Sequence, residues 1–132
     1  MPHMALVVDD SMLIRHSVCR YFEGRGFLVE SATNGVEAVE MLQHITPSLI
    51  VTDLQMPKMT GTELITLLKK RPDTKDVPII VLAGKKTSSD PAEETRADVV
   101  IYKDIDIIEQ LELAISSTFP ELVNGEVASR ES

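Results

Sequence analysis

The sequence predicts an α/β fold, a doubly wound, five-stranded parallel sheet with helices on both faces. Three observations predict it. Four short runs of consecutive apolar residues recur along the chain, at Ala5–Val8, Leu49–Val51, Ile79–Leu82 and Val99–Ile101. Segments with a helical spacing of apolar residues separate them. At 132 residues the chain has room for one core only. Uninterrupted β-branched runs suit strands covered on both faces, and strand alternating with helix is the pattern of the doubly wound class. Its crossovers are expected to be right-handed.

Each element follows in order. Ala5–Val8 is the first strand, and Ile14, Val18 and Phe22, at i, i+4 and i+8, place an apolar stripe on the first helix. Phe27–Ser31, after the breaks at Gly24 and Gly26, reads as a weaker edge strand. Ala38, Leu42 and Ile45 mark the second helix, opened by Asn34 with Glu37 three residues on, a variant of the capping box. Leu49–Val51 forms the third strand, which Asp53 ends. Leu64, Leu67 and Leu68 line the third helix behind a second box, Thr60 with Glu63. Ile79–Leu82 is the fourth strand. Asp90-Pro91-Ala92-Glu93 then combines a cap residue, a first-turn proline and an acid. The fourth helix it opens is short, running only from about Pro91 to Arg96, because Ala97-Asp98 already leads into Val99–Ile101. Ile108, Leu111, Ile115 and Phe119 stripe the last helix. The domain covers residues 4–119; residues 120–132 read as a disordered polar tail or the start of a linker.

Composition narrows the function. Hydrophobic residues make up 43% and charged residues 26%, the balance of a folded chain. Acidic residues outnumber basic ones 21 to 13, for a net charge of -8. Such a surface repels phosphate backbones and anionic lipid, which argues against direct nucleic-acid binding. No apolar run approaches the roughly 20 residues of a spanning helix, so no membrane insertion is expected. A single cysteine, Cys19, excludes an internal disulfide and suits a reducing, cytoplasmic location. Cys19 reads as a small core residue, and Met12, Met41, Met56 and Met59 as packing residues. His3, His16 and His44 lack metal-ligand spacing, and no glycine-rich phosphate loop is present.

The chemistry lies at the strand ends. In open α/β sheets ligands bind beyond the carboxyl ends of the strands. Asp9 and Asp10 follow the first apolar run and Asp53 ends the third. If those strands are neighbours, three carboxylates share one small volume. Each like-charge pair at about 4 Å then costs on the order of 4 kcal/mol at an effective dielectric of about 20. A cation relieves that cost, and hard oxygen ligands favour Mg²⁺. Lys103, ending the last strand, would face the same rim. A metal and an ammonium around one carboxylate clamp a phosphoryl group, with Asp53 as the nucleophile. The bland alternatives are turn or cap roles for the aspartates and simple solvation for the lysine.

Val8-Asp9-Asp10-Ser11, then Asp53-Leu54-Gln55-Met56-Pro57-Lys58-Met59-Thr60-Gly61, then Lys103, resembles the receiver domain of bacterial response regulators over about Met4 to Phe119. The resemblance implies strand order 2-1-3-4-5. It implies that Asp53 accepts phosphate from a sensor histidine kinase or phosphotransfer protein. Asp10 would bind Mg²⁺ directly, Asp9 through water, and the backbone carbonyl of Gln55 would complete the metal site. Lys103 would contact the phosphoryl group, and Gly61 would permit close backbone packing at the helix start. The first helix and the loops beside Asp10 and Lys103 would face the kinase.

Four features depart from the family pattern. Ala83 stands where receivers carry a Thr or Ser that bonds the phosphoryl oxygen. Val100 stands where an aromatic switch residue is usual, three positions before the lysine, and Tyr102 lies directly before Lys103 instead. Asp104 replaces the usual proline after the lysine, with its cis peptide bond, and the span from Ala83 to Ala97 is shorter than the family spacing. The phosphate-binding half of the site is complete, while the relay lacks its usual parts. The expectation is a phosphoacceptor with an atypical or weakened switch and no enzymatic turnover beyond its own phosphorylation and dephosphorylation. The alternative is a phosphorylation-independent interaction module. A Mg²⁺-dependent phosphohydrolase is disfavoured, since Gln55 sits where a general acid would be needed. Lys85, Lys86, Thr87 and Ser88 are candidate substitute phosphate contacts.

Overall fold

The computed structural model describes residues 3–84, 97–104 and 106–118. Five strands, β1 (Met4–Val8), β2 (Leu28–Ala32), β3 (Leu49–Asp53), β4 (Ile79–Ala83) and β5 (Val99–Tyr102), form one parallel sheet. Their order is β2-β1-β3-β4-β5. The described helices are α1 (Met12–Gly24), α2 (Gly35–Met41), α3 (Gly61–Lys70) and α4 (Ile107–Thr118). The fold class and strand order match the sequence reading. The short helix expected at 91–96, the loop at Lys85–Ser88, Phe119 and the tail at 120–132 lie outside the described residues.

Every residue of β3 and β4 is buried, as continuous apolar runs require. The sheet separates two cores. Val18 and Phe22 of α1 and Leu111, Ala114 and Ile115 of α4 pack on one face with Val7, Val51, Ile80 and Leu82. Ala38 of α2 and Leu64, Ile65 and Leu68 of α3 pack on the other with Leu6, Val8, Ile50 and Val81. Each fully buried Leu, Ile or Phe contributes roughly 1.5–3 kcal/mol through its loss of contact with water. At the far end of the first layer, Tyr21 Oη donates to Glu112 Oε1 at 3.0 Å, and Arg25 pairs with the same carboxylate. These contacts join α1 to α4.

Several local expectations shift. The edge strand begins at Leu28, because Phe27 turns inward to stack edge-on against Phe22, with ring centroids 5.0 Å apart. Asn34 does accept from the Glu37 amide, at 2.9 Å, but the Glu37 carboxylate bonds Thr33 rather than closing a box on Asn34. Thr60 and Glu63 form the reciprocal box in full. On α3 the buried stripe is Leu64, Ile65 and Leu68, and Leu67 lies at its half-buried edge. On α4 the core contact is Ile107; Ile108, rotated about 100° further round the helix, is 39% exposed. Met56 is buried and Met41 and Met59 pack on the α2–α3 core, whereas Met12 is 75% exposed, which corrects its reading as a packing residue. Cys19 packs at the margin of the α1 core and is only half-buried.

Candidate functional site

The register of the central strands brings the predicted residues together. β1 and β3 are neighbours, paired from Ala5 with Leu49 to Val8 with Thr52, so Asp9 and Asp53 leave adjacent strands at one level. The Asp9 amide continues the ladder onto the Ala32 carbonyl at 3.1 Å, and the Leu54 amide onto Leu82 at 3.0 Å. Each aspartate backbone is therefore held on the far side as well. Carboxylate oxygens of Asp9, Asp10 and Asp53 lie within 4.8 Å of one another. Asp9 is fully buried, Asp53 is 5% exposed and Asp10 is open to solvent.

Lys103 closes the cup from β5. Its ammonium lies 3.0 Å from Asp53 Oδ1 and 3.1 Å from Asp9 Oδ2. One ammonium offsets one of three carboxylates, leaving an excess of negative charge in a largely dry volume. Burial, then the Asp9 charge, push the Asp53 carboxyl up to about 6, against the opposing pull of Lys103 and the Gln55 amide. Burial works to lower the Lys103 pKa, but its hydrogen bond to Asp53 and the Asp9 charge outweigh that and raise it. Asp9 Oδ1 accepts from the Ser11 amide at 2.8 Å, while its buried Oδ2 is met by the Lys103 ammonium. All three acidic side chains offer hard oxygen donors within 4.8 Å of one another, and a single ammonium leaves their charge undercompensated. The donor set fits a small hard dication such as Mg²⁺.

The loop after Asp53 is shaped around its backbone. Gln55 is exposed, and its amide lies 3.4 Å from Asp53 Oδ1. Lys58 adopts a positive φ of 70°, and the Met59 amide donates to Pro57 at 2.8 Å, turning the chain back toward α3. The Gly61 amide then reaches the Leu54 carbonyl at 2.9 Å. A Cβ on Gly61 would lie 2.3 Å from the Asp53 carbonyl oxygen and 2.8 Å from Leu54 Cα. Gly61 is therefore required for α3 to start against the Asp53 peptide, as the resemblance implied.

The departures from the receiver pattern occupy the other end of the rim. Ala83 is the last residue of β4, is buried, and pairs with Tyr102. Val100 pairs with Val81; both it and Tyr102 are partly buried against the α3 layer. Asp104 is exposed in the turn after Lys103, and no cis peptide bond occurs among the described residues. Two contacts had no sequence signal. Arg15 of α1 donates from Nη1 to the Asp9 carbonyl at 2.8 Å, tying the helix to the acidic loop. Gln110 of α4 grips the backbone of Tyr102, accepting from its amide at 3.0 Å and donating to its carbonyl at 2.8 Å. A lone Arg and a lone Gln at helical positions read as solvated residues until the packing of helix on sheet is known.

Comparison with known proteins agrees with this architecture. The chain is 29% identical over 129 residues to the Regulator of RpoS of Escherichia coli (strain K12), which covers 96% of this chain but 38% of that protein. It thus spans well under half the length of this curated relative. Among solved structures, the signal receiver domain of a signal transduction histidine kinase from Syntrophus aciditrophicus superposes with a TM-score of 0.77 at 30% identity. That match covers 93% of this chain and 91% of the other. The Vibrio cholerae chemotaxis protein CheY4 superposes with a TM-score of 0.78 at 29% identity, covering 88% and 98%. The family model for the response regulator receiver domain matches residues 5–115, and with the five-stranded 2-1-3-4-5 sheet carrying an acidic cup at its carboxyl edge, this chain belongs to that family.

Proposed function

We propose that this receiver accepts a phosphoryl group on Asp53 from the phosphohistidine of a sensor kinase or phosphotransfer protein, with Mg²⁺ in the acidic cup. The observation that carries the reading is the Lys103 ammonium 3.0 Å from a buried Asp53 that shares its cup with Asp9 and Asp10. Asp9, Asp10, Asp53 and the Gln55 carbonyl would hold the ion, which supplies positive charge to the phosphoryl oxygens in flight. In the step itself, an Asp53 oxygen bonds to phosphorus while the phosphorus–nitrogen bond of the donor breaks. The bonding pair leaves on the imidazole nitrogen, which takes up a proton. With its carboxyl pushed up to about 6, Asp53 is ionised at neutral pH, the form that attacks. Lys103 shifts its ammonium from the carboxylate to the new phosphoryl oxygens.

The surface beside the cup suits a protein donor. Met12 and Leu13, in the first turn of α1, are each 75% exposed at the rim that Asp10 opens. The net charge of -8 supports a protein partner over nucleic acid, and no helix among the described residues is long and apolar enough to cross a membrane. We read the chain as a cytoplasmic signalling module rather than an enzyme.

The buried Ala83 methyl favours a second reading. Where a hydroxyl would donate to the phosphoryl group, a charge-assisted bond of about 1.5–3 kcal/mol is missing. A fold kept for constitutive protein binding would tolerate that loss. Incubation with a small phosphodonor and Mg²⁺, followed by intact-mass measurement, separates the two. A gain of one phosphoryl group, abolished by Asp53→Asn, is expected. No gain at saturating Mg²⁺ would overturn the phosphoacceptor reading in favour of the second.

A further inference from the structure

Resting on that reading, we propose that Gln110 is a positioning residue that acts through Lys103 and links the occupancy of Asp53 to α4. The argument concerns one peptide group. The carbonyl of Tyr102 and the amide of Lys103 belong to the same planar unit. Its amide is shared between the carbonyls of Ala83 at 2.8 Å and Gly84 at 3.1 Å, at the end of β4. Its carbonyl accepts from Gln110 Nε2 at 2.8 Å. The Gln110 amide also accepts from the Tyr102 N–H at 3.0 Å and reaches the Asp106 carbonyl at 3.2 Å.

The peptide that carries the Lys103 side chain is therefore clamped between β4 on one side and α4 on the other. That clamp fixes the backbone from which the ammonium reaches Asp53 Oδ1 and Asp9 Oδ2. A phosphoryl group on Asp53 adds charge and bulk where the ammonium now sits, so Lys103 must re-aim. Any turn of its peptide that accompanies this pulls on Gln110 as well as on the β4 end, and the helix of Gln110 packs Leu111 and Ile115 into the core beneath. Neither an inward-moving hydroxyl nor a rotating ring is required. The linkage uses a side chain amide, which donates and accepts at once, where the Ala83 methyl and Val100 can do neither. The thermodynamic condition for a switch is a contact that differs between the two states, and this clamp supplies one.

A double-mutant cycle tests it. In the whole chain with Mg²⁺ and phosphoramidate, Gln110→Met should slow Asp53 labelling about tenfold, the scale of a small misplacement of a reacting group. Magnesium affinity, which depends first on the carboxylates and only through them on Lys103, should change less than the labelling rate does. In a Lys103→Met background, Gln110→Met should add nothing, because a residue acting through the lysine has no effect without it. In parallel, beryllofluoride with Mg²⁺ should perturb the backbone amides of α4 in the original protein and leave them in place in Gln110→Met. Equal slowing in both backgrounds, or an α4 response that survives the substitution, would overturn the proposal. If Gln110→Met does not fold, Gln110→Glu, which keeps the acceptor for the Tyr102 amide and loses the donor, decides it by the same cycle. Absence of any labelling in the original protein would instead defeat the phosphoacceptor reading itself.

Discussion

The two ends of the carboxyl rim are built differently. Around β1 and β3 the parts are polar, convergent and tied down: Asp9 by Ser11 and Arg15, Asp53 by the α3 start at Gly61, and both by Lys103. Around β4 and β5 the inward parts are apolar, with Ala83 and Val100 in the layer facing α3, and the polar contacts run through backbone and Gln110. The first end stores electrostatic strain that a cation can relieve. Among the described residues the second holds no such cluster of like charges. On the proposed function, capturing a phosphoryl group and responding to it draw on these two ends separately.

The contrast can be attacked from either end. The largest effect is expected from the charge of the cup. Asp53 is pushed from an ordinary 3.8 up to about 6, so between those values the folded protein binds a proton that the unfolded chain does not. Without metal, stability should fall as pH rises from about 4 to about 6 and then level off, a loss of about 3 kcal/mol. Urea denaturation at a series of pH values measures it. Asp53→Asn should flatten the slope, and Mg²⁺ should recover stability at pH 7 by binding only the folded state. A slope unchanged by Asp53→Asn would place the strain elsewhere.

A smaller, steric effect is expected at the same end. Gly61→Ala puts a methyl group 2.3 Å from the Asp53 carbonyl. Overpacking against backbone should cost about 2 kcal/mol and displace Asp53. Asp53 labelling should then fall further than the loss of folded population explains, which parallel melting and phosphorylation measurements can separate. The smallest effect concerns the other end. Ala83→Ser adds only a hydroxyl at the end of β4. If the missing donor is what distinguishes this edge, beryllofluoride should bind about tenfold tighter, the equivalent of one charge-assisted bond of about 1.5 kcal/mol. Unchanged affinity in a titration would show that the edge differs in more than that group.

Much of the acidic site was legible before folding. Aspartates that terminate buried apolar runs must emerge at the carboxyl edge of a parallel sheet, and a lysine ending the last run must share that edge. Helix phase was less legible. Ile65 is buried and Leu67 marginal, and Ile107 packs where Ile108 was expected, because the face a helix buries depends on where its first turn meets the sheet. Met12 followed the same rule: its helix starts at the rim, beyond the reach of the core.

The order of residues along the chain determined the fold class, the strand order implied by the receiver motifs, the convergence of Asp9, Asp10 and Asp53, and the need for glycine at 61. The fold class follows from local period and chain direction, which a linear sequence encodes, whereas the strand order and the role of Gly61 came from the resemblance to receivers. Packing alone decided that Arg15 would reach the Asp9 carbonyl, that Glu37 would turn to Thr33, and that Gln110 would hold the peptide behind Lys103. Each is a side chain meeting a backbone group or neighbour whose position depends on how one helix settles against the strands, and a distance of that kind exists only once both cores have closed.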